Sequence, residues 1–83
     1  MTKIEKQLQR IQKRPKDFTW DELASLMISQ GFEMHSASGG SSRKFIHTAT
    51  GYPLCIHEPH PGNIIKPYAV RAVITALENV GAL

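Results

Sequence analysis

Apolar residues recur at helical spacing in three stretches of this chain and alternate with polar ones between the last two. Ile4, Leu8 and Ile11 fall four and three residues apart, which lays them along one face of a short helix over residues 3–13. Lys3, Lys6, Arg10 and Lys13 fill the other positions, so the helix is amphipathic and basic. Pro15 ends the pattern, and Arg14-Pro15-Lys16-Asp17 reads as a connector, because the residue before a proline is pushed away from helical geometry. A basic helix of this kind can lie against a nucleic-acid backbone, although a charged face is ordinarily just solvated. Residues 1–16 are therefore set apart as a basic helix and connector, and residues 17–83 as the main domain.

The second helix carries its own start and stop signals. Thr19-Trp20-Asp21-Glu22 has the form of a capping box, in which the threonine hydroxyl meets the third helical amide and the glutamate reaches back. Phe18 and Leu23 occupy the staple positions on either side. The helix is predicted from Trp20 to Ser29 or Gln30, burying Leu23, Leu26 and Met27, with Gly31 placed to close it in the left-handed conformation. Trp20 reads as a packing residue.

Three strands follow: Phe32 to Ala37, Arg43 to Thr48, and Pro53 to His57. Thr50-Gly51 marks a hairpin between the last two, and Gly39-Gly40 can serve the first two. If Phe45 faces the core, Ser42, Lys44 and Ile46 share the opposite face as an exposed cationic surface; the opposite register, with Ile46 inward, is compatible with the same spacing. Cys55, in mid-strand, reads as a small core residue. In Glu58-Pro59-His60-Pro61-Gly62-Asn63, two prolines fix φ at alternate positions and present His60 on a rigid loop. The last helix begins near Lys66-Pro67, buries a stripe of Val70, Val73, Ile74 and Leu77, and stops at Gly81.

Helix, three antiparallel strands, helix, with a basic helix in front, predicts an α+β domain: two helices on one face of a three-stranded sheet, the layout of double-stranded-RNA-binding domains. At 83 residues there is room for one modest core. Ten Lys and Arg against seven Asp and Glu leave a net charge of +3, which changes the picture by favouring an anionic partner such as nucleic acid. The lone Cys55 excludes an internal disulfide, no apolar run reaches membrane-spanning length, and the first residues do not resemble a secretory signal. These features point to the cytoplasm.

Candidate chemistry concentrates in Gly39 to His47, where a glycine turn, two hydroxyls and two adjacent cations fit an anion, and where a hairpin with a polar face fits equally. Arg43, Lys44, Lys66 and Arg71 are the cations available for phosphates. No Gly-x-Ser-x-Gly elbow accompanies Ser41 or Ser42, which excludes a serine hydrolase, and His57 with His60 makes a thin case for a metal site. His35, His47 and His57 read first as ordinary strand residues.

Gly40-Ser41-Ser42-Arg43-Lys44-Phe45, the Thr50-Gly51 hairpin, Pro59-His60-Pro61, and the helix from Lys66-Pro67 to Glu78-Asn79-Val80-Gly81 together resemble the HicA family of small toxins over about residues 18 to 83. The resemblance implies a double-stranded-RNA-binding-like fold and a messenger-RNA-cleaving ribonuclease that needs no metal or other cofactor. It also implies a HicB-like antitoxin partner covering the active face. RNA contact then falls to Ser41, Ser42, Arg43, Lys44, Lys66 and Arg71. The family motif reads Gly-Ser-His, with that histidine catalytic, and here the position is Ser42, which has no proton to exchange near neutrality. Either another histidine takes the role, His35, His47 or above all His60, or the chain is a catalytically inactive RNA-binding or protein-interaction module.

Overall fold

The computed structural model describes residues 2–36 and 42–83, with only the backbone of Ser36; the Gly39-Gly40 turn and Ser41 lie outside these residues. Helix α1 (Lys3–Gln12) is followed by α2 (Trp20–Ser29), strands β1 (Phe32–Ser36), β2 (Ser42–His47) and β3 (Pro53–His57), and helix α3 (Pro67–Asn79). The strands form one antiparallel sheet in chain order. This is the expected α+β, double-stranded-RNA-binding-like arrangement with an extra N-terminal helix. Among the described residues no helix is long and apolar enough to cross a membrane.

Helix α2 starts as its sequence dictates. The Thr19 hydroxyl accepts the Glu22 N–H at 3.1 Å, and the Glu22 carboxylate accepts the Thr19 N–H at 3.0 Å. It ends at Gln30, and Gly31 turns the chain at φ 90° into β1. The β2–β3 hairpin closes with the His47 N–H donating to the Tyr52 carbonyl and Gly51 at φ 77°. Gly81, at φ 81°, sits beyond the end of α3.

Strand alternation sorts the sheet into two faces. Phe32, Phe45, Leu54 and Ile56 are buried beneath the helices with Phe18, Trp20, Leu23, Leu26, Met27, Val70, Val73 and Leu77. The Trp20 and Phe45 rings meet at 5.9 Å between centroids, so Trp20 does pack. Phe45 points inward, and the pairing Phe45↔Leu54 fixes the register that sequence spacing left open. Ser42, Lys44 and Ile46 consequently share the other face with Glu33, His35, Pro53, Cys55 and His57. Cys55 corrects the expectation of a core thiol: Leu54 and Ile56 take the two inward positions of β3, so the residue between them must point out, and it is exposed.

Helix α1 is joined to the rest by its apolar stripe. Ile11 is fully buried in the common core, and Ile4 and Leu8 pack against its edge. Arg10 then ties the connector down. Its guanidinium reaches the Glu22 carboxylate at 2.6 Å and Asp17 at 2.8 Å, and it lies 4.8 Å from the centroid of the Phe18 ring. Arg14, at φ 52°, makes the left-handed turn that ends α1 without a glycine.

Candidate active site

The β3–α3 connection is pinned at both ends. At its start the Tyr68 hydroxyl accepts the His57 backbone N–H at 3.2 Å. At its end Trp20 N–H donates to the Asn63 carbonyl at 2.7 Å, and Ile65 N–H donates to that of Phe18 at 2.9 Å. Between these anchors the proline-rich loop stands away from the sheet and leaves a groove of about 460 Å³, lined by His57, Glu58, Pro59, His60, Lys66 and Tyr68. Two imidazoles, an ammonium and a phenol thus face one space. Lys66 is the N-cap of α3, and the first turn of that helix carries no acidic residue, so the positive helix end is left uncompensated by its own side chains.

Ser42 adjoins this groove. It is the direct cross-strand partner of His57, and such partners have Cβ atoms about 4.5–5.5 Å apart on one face of a sheet. An imidazole therefore stands beside the position where the resemblance called for one. Sequence reading passed over His57, because its place at the end of β3 gives no sign of the residue it meets on β2. Counting back from a two-residue turn at Thr50-Gly51 would pair position 42 with 59; in the structure His47 faces Tyr52 across a four-residue loop, and that shift brings 42 opposite 57.

The other predicted site residues separate. Arg43 and Lys44, adjacent in sequence, point to opposite faces. Arg43 lies on the Phe45 side and reaches the Glu58 carboxylate at 3.4 Å, with Nη1 donating to the Ser42 carbonyl at 3.0 Å. Lys44 is on the open face between His35 and Cys55. His35 is exposed there, 3.4 Å from Glu33. His47 serves the hairpin: its Nδ1 lies 2.9 Å from the Thr50 hydroxyl, and its ring meets Phe32 edge-on at 4.9 Å. Arg71 belongs to a different groove, of about 290 Å³, on the other side of the first turn of α3, where it joins Arg14 and Lys16 over a floor of Ile65 and Val70. Among the described residues no group of three or more His, Cys, Asp or Glu is gathered as a metal site would require.

A sheet face carrying a lysine and a serine, beside a groove with two histidines and a lysine at a helix N-terminus, defines a class: a small α+β domain with a polar, partly cationic candidate site. The family described as the HicA toxin of bacterial toxin-antitoxin systems matches residues 20–81. The chain belongs to that family and is a toxin-antitoxin toxin. No curated protein and no solved structure matches it.

Proposed function

We propose that this toxin acts in the cytoplasm on messenger RNA and cleaves it without metal, using histidines of the β3–α3 groove in place of the one absent at Ser42, and that a HicB-like antitoxin neutralises it. One observation carries the reading. The family's catalytic position is empty of imidazole, yet its cross-strand neighbour His57 lines a groove together with His60 and Lys66.

The chemistry follows from what these groups can exchange. One imidazole takes the proton of a ribose 2′-hydroxyl as that oxygen bonds to the adjacent phosphorus. The other, as imidazolium, gives a proton to the departing 5′-oxygen as the P–O5′ bond breaks. The products are a 2′,3′-cyclic phosphate and a 5′-hydroxyl. Lys66 supplies positive charge for the phosphorane oxygens. Lys44 and Ser42 continue the RNA-binding surface along β2, while Arg43 acts from the other side of the sheet by holding Glu58 and with it the wall of the groove. Arg71 belongs to the RNA-binding set but outside this groove.

The test is cleavage of single-stranded RNA by the purified chain in EDTA. His57→Ala and His60→Ala should each reduce the rate by about 10²–10⁴-fold. Rates left at the native level by both substitutions refute the assignment. The second reading, a binding module without hydrolysis, is favoured by Ser42 itself; it prevails if the native chain binds RNA without cutting it and Ser42→His restores cleavage.

A further inference from the structure

The groove on the far side of α3 has a composition that the chemistry at His57 and His60 does not use. Arg14, Lys16 and Arg71 line it with exposed cations, Ile65 and Val70 form its buried floor, and Pro15 and Pro67 complete the lining. No acidic residue lines it. Among the described residues no ion pair engages any of the three cations, and the nearest acid in sequence, Asp17, is held by Arg10 at 2.8 Å. The site is built as well as charged: Arg10, clamped between Asp17 and Glu22 and lying over Phe18, fixes the connector that carries Arg14 and Lys16.

We infer that this groove is a second binding site for single-stranded RNA, taking the phosphodiester backbone on Arg14, Lys16 and Arg71 and an adjoining ribose or base on the apolar floor. The inference rests on the proposed action on RNA and extends it to residues outside the family match, since Arg14 and Lys16 precede residue 20. Two observations select a nucleic-acid strand. Three cations without a neighbouring acid around an apolar floor are complementary to a nucleotide, which offers phosphate and an apolar face within one repeat. The groove also lies within one helical turn of the first: Lys66 and Tyr68 line the histidine side of the start of α3, Pro67 and Arg71 the other. A strand crossing the start of α3 occupies both, so the N-terminal segment acts as a clamp that holds RNA beside the imidazoles.

The experiment uses the full chain and a fluorescent 2′-O-methyl oligoribonucleotide, which lacks the attacking hydroxyl and so reports binding alone. Affinity is measured by anisotropy across a salt series for the native chain, for the single variants Arg14→Gln, Lys16→Gln and Arg71→Gln, and for the triple variant. Each phosphate contact on single-stranded nucleic acid contributes about 0.7 to the slope of log K against log salt. Each single variant should therefore flatten the slope by about 0.7 and the triple variant by about 2, with the thermal unfolding temperature unchanged. A triple variant that binds with the native slope overturns the clamp while leaving RNA action intact. A native chain with no affinity for the probe overturns both. Loss of affinity for the antitoxin with RNA binding unchanged assigns the groove to a protein partner and also overturns the inference.

Discussion

Removing the charge of Glu22 while keeping its shape tests how the N-terminal helix is held. Burial works against the Glu22 carboxylate, but hydrogen bonds from Gln7, Arg10 and Thr19 outweigh it and hold its pKa at about 2, against an ordinary 4.5. At ~1.4 kcal/mol per pH unit the whole difference corresponds to roughly 3 kcal/mol. The side chain is still 30 % exposed, and screening by that water brings the contribution of the charge down to about 1–2 kcal/mol. Because the folded-state pKa is lowered, this stability is fully present above the unfolded value near 4.5 and is lost as pH falls through about 2. Glu22→Gln keeps one oxygen for the capping box but turns the other, which accepts from Gln7 and Arg10, into a donor, so the substitution removes the charge together with the hydrogen bonds it accepts. In thermal or urea unfolding at pH 7 the variant should be less stable by about 1–2 kcal/mol, a Tm shift of roughly 4–8 °C per kcal/mol for a domain of this size. Repeated at steps from pH 5 to pH 2, the gap between the two proteins should close. A gap that is absent at pH 7, or that is as wide at pH 2 as at pH 7, refutes the reasoning.

Two further substitutions probe the frame around the site. Ile11→Ala removes a fully buried side chain from the common core and should cost about 2–5 kcal/mol in denaturant unfolding; a loss below about 0.5 kcal/mol would show that α1 is a loose arm. Gly31→Ala combines a φ of 90° with a new Cβ only 3.3 Å from the His47 ring, and should cost about 1–2 kcal/mol, with the His47 ring resonances shifting in NMR spectra. An unshifted His47 spectrum would separate the hairpin from that turn.

The fold was legible wherever a local rule decides. The Thr19–Glu22 box, Gly31, the Thr50-Gly51 hairpin and Pro67 set the ends of elements through near-neighbour chemistry, and the structure agrees at each. What sequence reading missed depends on direction in space. Alternation already set Lys44 opposite Phe45, but not what Arg43 on the other side would reach: it braces the loop at Glu58, a partner far along the chain. Lys66 and Arg71 look like one basic helix start, yet five residues of helix turn them well apart, into separate grooves. Cys55 was misread as core although the inward Leu54 and Ile56 already implied the contrary. His57 gained its interest only from Ser42, fifteen chain positions away but adjacent across the hairpin.

The contact between α1 and α3 has a consequence for how the protein is made. The earliest of these elements contributes Ile11 to a core whose other wall includes Val73 and Leu77 of the last. During vectorial synthesis the sheet and α2 can assemble from neighbouring segments as they emerge, but α1 has no complete seat until α3 has left the ribosome. A chain stalled before α3 carries Arg14 and Lys16 beside an undocked helix and lacks Lys66, Tyr68 and Arg71 altogether, so the two walls of the proposed clamp come together only once α3 is made.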